Sequence, residues 1–325
     1  VSTAQELMNL QRARFPALDS TLPSSYPLPR NGEPLMAKLP NSEPVAGLMA
    51  RTSNPPGSLQ RLWSTAENFE LFPLLGEHPG DGMNALLEAW REQLAHRDVP
   101  DTDSACLVTW PSRDVRASRA LLDHGFTPLS CLAVRTPARA PAAEPNGTVK
   151  MRRAGPADLD TVVELALAEL EYAALVGGSV VRPDAARLKR NAVHLRLHSA
   201  GQPTSERTTS GRTGAEPVWL AERDGVPIAL AECGWVDARR NHSGQRVSDG
   251  KWAYVNCVSV REQERGTGVG QQLMAQVHHE FAAAGVVGSY LYYNPANPLS
   301  SVFWPRQGYR PLWTIWEVRP ATALR

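Results

Sequence analysis

The sequence predicts an α/β protein with a mixed sheet (α+β in character), built as two copies of one fold in tandem. Three observations predict it. In the second half, strand-like and helical patterns run as a meander of strands and then a strand-helix-strand crossover. Two distant segments share a signature: Gly125-Phe126 opens GFTPLSCLAVR and Gly308-Tyr309 opens GYRPLWTIWEVR, each with a G-aromatic-x-P-L start and a V-R finish. Upstream of each, a glycine-rich turn precedes an amphipathic helix. These are Gly80-Asp81-Gly82 before MNALLEAWREQL, and Gly268-Val269-Gly270 before QQLMAQVHHEF. The turn and the G-aromatic pair lie 45 residues apart in one half and 40 in the other, which reads as one repeat of long period. Between the copies, TPARAPAAEPNG (136–147) holds three prolines and four alanines without apolar periodicity, and reads as a linker. The expected domains are therefore 1–135 and 148–325.

The second copy is the more legible. TVKMRRA (148–154) is strand-like. Pro156 and Asp158 start a long helical pattern with Asp160 and Glu164 in its early turns, and a second helix is expected over 184–198. GQPTSERTTSGRTGAE (201–216) is polar and small, hence a mobile loop. VWLAERDGVPIALAECGWVD reads as a hairpin turning at Asp224-Gly225, a favoured type I′ pair. A second polar loop (239–250) leads to the strand KWAYVNCVSV. There follow the glycine turn, a helix over 267–284, the strand GSYLYYN, a short helix near 298–306 and a last strand.

Composition excludes several classes. Hydrophobic content of 42% and charged content of 21% are those of a globular chain. A net charge of +1 gives no reason to expect nucleic acid or an acidic membrane as partner. No apolar run has membrane-spanning length, and VSTAQELMNLQRARF lacks a signal peptide's apolar core. Cys106, Cys131, Cys233 and Cys257 are scattered without CxxC or His at metal-ligand spacing. They read as buried free thiols, with no metal and the cytoplasm as default compartment.

The stretch RGTGVGQQLM (265–274) carries the chemistry. A strand, a glycine turn and a helix leave backbone N–H groups pointing out of the helix start, where the dipole adds roughly half a positive charge. Glycines let a ligand approach the backbone and permit φ > 0. Such a turn cradles a phosphate, and Arg265 could add a charge-assisted bond or serve as a solvated surface residue. A P-loop would need GK[ST], whereas Gly270 is followed by Gln271-Gln272. A dinucleotide fingerprint would need GxGxxG, whereas Gly266, Gly268 and Gly270 are spaced GxGxG, late in the chain after a meander. The bland alternative is a plain tight turn into a core helix.

The third reading is R-x-x-G-x-G on Arg265, Gly268 and Gly270. It resembles the pyrophosphate-binding turn of the GCN5-related N-acetyltransferases (GNAT), which hold acetyl-coenzyme A there. In that family a V-x-V strand end precedes the turn, as Val258-Ser259-Val260 does here. Later comes a spaced pattern matched by Asn297, Ser300, Trp304, Gly308 and Tyr309. The resemblance covers about residues 148–319, and the first copy shows the later pattern more weakly as Asp114, Ala117, Leu121, Gly125 and Phe126. The chain thus resembles tandem members of the family, which include mycothiol synthase-like enzymes, with two GNAT-like acyl-CoA N-acyltransferase domains.

The first copy departs where chemistry would suffer. Aligning Gly80 with Gly268 puts Glu77 at the place of Arg265, with Pro79 and Asp81 beside it. A carboxylate there meets like charge, and proline removes a donor N–H. The first copy is therefore expected to be degenerate, packing on the second and shaping its cleft; a second site with different ligand chemistry is the alternative.

The resemblance implies acetyl-CoA as co-substrate, its pyrophosphate on the amides of Arg265, Gly266, Thr267, Gly268, Val269 and Gly270. The pantetheine arm would run along Val258 to Val260, the Val258 amide polarising the thioester carbonyl; Asn297 belongs to the same set. An amine of a small molecule or peptide would attack directly, by proximity. The strand before the turn offers Trp252, Tyr254 and Asn256 but no ordinary base, so Glu232 in the otherwise apolar IALAECGWV is the candidate, either aimed into the cleft or on a wet face, with Asp237 behind it. The tyrosine that commonly protonates the leaving thiolate is replaced by Trp304, leaving Tyr254, Tyr292 and Tyr293 as stand-ins. His278 and His279 read as surface or helix-packing residues. A non-catalytic acyl-CoA sensor and acetylation of a thiol-sugar amine are the rival functions. The acceptor's identity and the choice between monomer and homodimer stay open.

Overall fold

A computed structural model describes residues 3–23, 28–136, 149–199, 216–238 and 246–324. The linker expected over 136–147 and the polar loops expected over 201–216 and 239–250 lie, but for Thr136, Glu216 and residues 246–250, outside the described residues.

The N-terminal half starts with α1 (Thr3–Leu18), followed by the antiparallel strands β1 (Glu33–Lys38), β2 (Pro44–Ser53) and β3 (Glu67–Leu74). Helix α2 (Pro79–Ala95) crosses over to β4 (Ser104–Pro111), which is parallel to β3. Helix α3 (Val115–Asp123) and β5 (Thr127–Arg135) complete this half. The C-terminal half repeats the plan with insertions. After β6 (Lys150–Arg153) come α4 (Leu159–Leu175) and α5 (Ala185–Ser199). Strands β7 (Val218–Arg223), β8 (Val226–Ala238) and β9 (Gly250–Val260) form the meander, and α6 (Val269–Ala283) crosses to a parallel β10 (Gly288–Tyr293). Helix α7 (Pro298–Arg306) and β11 (Arg310–Val318) follow. The order β7-β8-β9-α6-β10-α7-β11 therefore restates β1-β2-β3-α2-β4-α3-β5.

Local chemistry explains the boundaries. Asp224 and Gly225 have φ of 52° and 78°, the paired positive values a type I′ turn needs. Asn297 caps α7, its side-chain oxygen accepting from the amides of Leu299 and Ser300, and Asp114 caps α3 in the same structural place by accepting from Ala117. Helix α6 begins at Val269, two residues later than the pattern suggests, because Gly268 stands in the left-handed region at φ 88°.

All strands join one sheet in the order β1-β2-β3-β4-β11-β5-β10-β9-β8-β7-β6. The last strand of each half has crossed into the other: β5 pairs antiparallel with β10, β11 pairs antiparallel with β4, and the two exchanged strands pair with each other. The core follows suit. One large cluster contains Trp90, Trp110 and Leu132 from the first half together with Trp252, Trp313 and Trp316 from the second. All four cysteines are buried free thiols, as expected. Among the described residues no helix is long and apolar enough to cross a membrane.

Candidate active site

Two irregularities of β9 open the sheet. Glu232 faces Cys257 and Cys233 faces Val255, so Asn256 is an extra residue, a β-bulge. On its other edge β9 pairs with β10 only from Trp252 to Val255. From Asn256 to Val260 the two parallel strands splay apart. That edge carries ladder N–H and C=O groups, and it borders a cavity of about 910 Å³.

The glycine turn closes one end of this cavity. Gly266 and Gly268 have φ of 80° and 88°, and a Cβ on either would meet only open space. Their lack of side chains is thus a matter of backbone conformation and of a clear approach to the amides. The first-turn amides of α6 have no intrahelical partner by construction, and Gly268 brings no side-chain cap. Arg265 reaches back, its Nε donating to the Val260 carbonyl at 3.3 Å and its guanidinium lying over the Tyr172 ring. The Thr267 hydroxyl donates to the Glu264 carbonyl at 2.7 Å, which braces the turn. Gly266, Gly268, Val269, Gly270, Arg265, Val258, Val260 and Asn297 all border the cavity. Asn297 spends its side-chain oxygen on the α7 cap. Trp304 is at the wall too, edge-on to Phe303 and Tyr309 at 4.9 and 5.4 Å between ring centres.

Glu232 behaves otherwise than sequence reasoning placed it. It is buried, but it faces α4 and α5 and does not border the cavity; Asn256 stands between, lining the cavity and donating its side-chain amide to the Glu232 carboxylate at 2.5 Å. The bulge turns Asn256 to this task. Asp237, five residues on and paired in register with Lys251, also lies away from the cavity. Tyr254 borders the cavity, with its hydroxyl donating to Glu216. Gly234 permits this: a Cβ there would come within 2.5–2.6 Å of the Tyr254 ring and hydroxyl. Glu216 in turn pairs with Arg196 at 3.1 Å.

Among the described residues two carboxylates do border the cavity: Glu264 at the glycine turn, which pairs with Arg223, and Glu169 on α4. Burial raises the Glu169 pKa above the usual glutamate value; nearby Lys189 offsets part of the rise and the charge of Glu232 adds to it. Sequence reasoning missed this residue. A signal existed: Glu169 falls on the same helical face as Leu165, Ala166 and Ala173, all buried, so an acid interrupts the apolar stripe. The tyrosines also separate. Tyr292 and Tyr293 border the cavity with Tyr254, and burial pushes the Tyr293 phenol up to about 12. His278 is a helix-packing residue, its ring 3.1 Å from the Tyr309 hydroxyl and its pKa pulled down to about 3 by burial. It is neutral in the core.

The opposite wall comes from the first half. Trp63, Leu129 and Ser130 border the same cavity. Trp63 is set by the segment 59–65, whose Leu62 packs between Leu170 of α4 and Leu188 of α5. Arg182 clamps that segment: it donates to both Asp103 carboxylate oxygens at 2.7 and 2.8 Å, and to the carbonyls of Arg61 and Ser64. The matching groove of the first half is filled instead. There β3 and β4 also pair only as far as Leu71 and Val108. Helix α1 lies against the rest of β3, with Leu7 packing on Leu74 and Ala46, and Gln11 donating to the Pro73 carbonyl at 3.1 Å. Pro73 has no N–H to offer.

The comparisons agree with this geometry. Residues 192–309, within the second half of the chain, match the acetyltransferase (GNAT) family model. A GCN5-related N-acetyltransferase from Sphaerobacter thermophilus is 15% identical with a TM-score of 0.56, over 99% of this chain and 95% of that one. A GNAT-family acetyltransferase from Colwellia psychrerythraea is 13% identical with a TM-score of 0.50, over 98% and 97%. At that identity the likeness shows the fold, and it spans both halves. No curated protein matches the chain.

Proposed function

We propose that the chain is an N-acetyltransferase that moves an acetyl group from acetyl-CoA to an amine by direct attack, with the coenzyme held in the C-terminal half. The observation that carries this reading is one cavity that joins three features: the amides at the start of α6, the unpaired edge of β9 and the Glu169 carboxyl. The helix start supplies donors and positive potential for a pyrophosphate. The splayed edge, Val258 to Val260, supplies main-chain partners for an extended pantetheine and a donor for the thioester oxygen.

Glu169 takes the proton from the ammonium of the acceptor. Its raised pKa brings it nearer to neutrality, where a general base works best. The neutral amine then attacks the thioester carbon, a C–N bond forms, the C–S bond breaks, the sulfur leaves as thiolate, and the proton left on the acylated nitrogen passes to that thiolate or to water, giving the neutral amide. A thiol with a pKa near ~8.5 departs without a dedicated acid, so Trp304 at the usual tyrosine position is no obstacle. In this reading Glu232 is a positioning residue that holds Asn256, and Tyr254 shapes the wall. Residues 1–135 serve as the copy that binds no coenzyme, since α1 and Pro73 occupy its groove.

A non-catalytic acyl-CoA sensor would not need a base at the cavity wall, and Glu169 speaks against it. Calorimetric titration of acetyl-CoA into the purified chain tests the proposal, beside Gly268→Asp. One site per chain is expected, weakened roughly tenfold or more in the variant, because a strained φ and a like charge each cost about 1 kcal/mol or more. Two sites, or none, would overturn it.

A further inference from the structure

We infer that the acceptor is a small primary monoamine with a flat apolar body, an arylalkylamine, and that the first half of the chain helps to select it. This rests on the acetyltransferase reading and names the substrate class of the same cavity.

Beyond the glycine turn and the α7 side, the cavity wall turns aromatic. Trp63, Tyr254, Tyr290 and Tyr292 line this part of the wall, with Leu129 and Ile315 among the same lining. Tyr254 and Tyr290 lie with ring centres 6.1 Å apart and tilted by 33°, while Tyr290 and Tyr292 meet edge to face at 6.4 Å. Such a panel presents faces and edges to an apolar body and, through the ring quadrupoles, to an adjacent ammonium. Peptide or sugar acceptors would need matching polar groups, and three donors of this wall are already spent: the Ser130 hydroxyl donates to the Tyr293 carbonyl, the Asn256 amide to Glu232 and the Tyr254 hydroxyl to Glu216.

Charge limits the number of amines. Away from the glycine turn Glu169 is the wall's carboxylate; the other acid that borders the cavity, Glu264, is at that turn and pairs with Arg223. Just behind the wall Glu216 pairs with Arg196 at 3.1 Å and Glu70 with Arg246 at 3.7 Å, while Glu232, screened from the cavity by Asn256, also faces the charge of Arg196. Lys189 lies over the Trp63 ring, 4.8 Å from its centre, which closes that side with positive charge. A polyamine would bring two or more cations to a chamber with one carboxylate to receive them, and desolvating an unpaired cation is costly. A single ammonium, which gives its proton to Glu169 and then attacks, fits the count.

Trp63 makes the selection depend on the first half. It reaches the chamber because Leu62 is buried between α4 and α5 and Arg182 holds Asp103 and the 61–64 backbone. It is 37% exposed, so truncation there leaves the core intact.

The test measures thiol release from acetyl-CoA by the full chain with three acceptors: 2-phenylethylamine, spermidine and a lysine-containing peptide. Trp63→Ala, Trp63→Phe and the acetyl-CoA affinity by calorimetry are followed alongside. The expected result is a kcat/KM for 2-phenylethylamine at least about tenfold above the other two, on the scale of one aromatic contact. Trp63→Ala should raise its KM by about tenfold, Trp63→Phe should restore most of it, and the acetyl-CoA affinity should stay unchanged. Acetyl-CoA binding with preference for spermidine or the peptide, or with no turnover of 2-phenylethylamine, overturns the acceptor class and leaves the coenzyme site standing. A KM indifferent to Trp63→Ala overturns the role of the first half. Absence of acetyl-CoA binding overturns both this inference and the reading beneath it.

Discussion

At the scale of residues, Glu169 and Glu232 show how one bulge decides between two acids. Both are on the α4–α5 side of the sheet, yet Asn256 covers Glu232 and leaves Glu169 at the cavity. If Glu169 is the base, Glu169→Gln should lower kcat by about 10²–10⁴-fold. The acid limb of kcat/KM in the native chain should lie above the ordinary glutamate range and vanish in the variant. The same shift has a consequence for stability with a definite sign. Because the folded-state pKa is raised, mainly by burial, the group favours folding below its unfolded pKa, and that contribution is lost as pH rises through the folded value. Glu169→Gln should therefore gain more in Tm relative to the native chain at pH 8 than at pH 4. Thermal melts at the two pH values decide it, and an equal or reversed difference would count against a raised pKa.

At the scale of elements, the segment 59–65 is the part of the first half that works for the second. Asp103 ties it down: Arg182 and Arg61 donate to its carboxylate, and so does the Ala66 amide. Its pKa is accordingly lowered well below the usual aspartate range, first by Arg182. A lowered pKa means stability that is present above the unfolded value and lost as pH falls through the folded one, so the clamp is intact across the neutral range. Asp103→Asn should cost about 1–3 kcal/mol in urea unfolding at pH 7, the range for hydrogen bonds to charged groups discounted for partial exposure. It should also raise the acceptor KM while sparing the acetyl-CoA affinity. Much of this level was legible beforehand. The glycine turn, the Asp224-Gly225 hairpin and both late helices follow from local rules about φ and periodicity, whereas Asn297 reads in the sequence as a coenzyme residue and proves to cap α7. The helix α1, the bulge at Asn256 and the place of Glu169 were not, because each depends on what packs against the segment and not on the segment itself. Glu232 was singled out by its apolar neighbours, which report burial and not direction.

At the scale of the whole molecule, the exchanged strands set what the chain can be divided into. Periodicity identifies β5 and β11 as strands, but a strand's sequence does not name its partner, and local pattern assigns each to its own half. In the structure β5 lies between β11 and β10, and β11 between β4 and β5. A C-terminal half without β5 would bare the apolar edge of β10, where Leu132 and Ala133 now pair with Tyr292 and Leu291. Unpaired edges of this kind aggregate. The native chain should thus melt in one cooperative transition. Fragments 1–142 and 143–325 should be insoluble or molten when made singly, and should copurify one to one when coexpressed, with acetyl-CoA affinity restored. The decisive comparison is 143–325 alone. If it is a folded monomer that binds acetyl-CoA as well as the full chain, the exchange is an ornament of the fold. If it binds only with its partner fragment present, the second copy persists because neither sheet closes without the other's last strand.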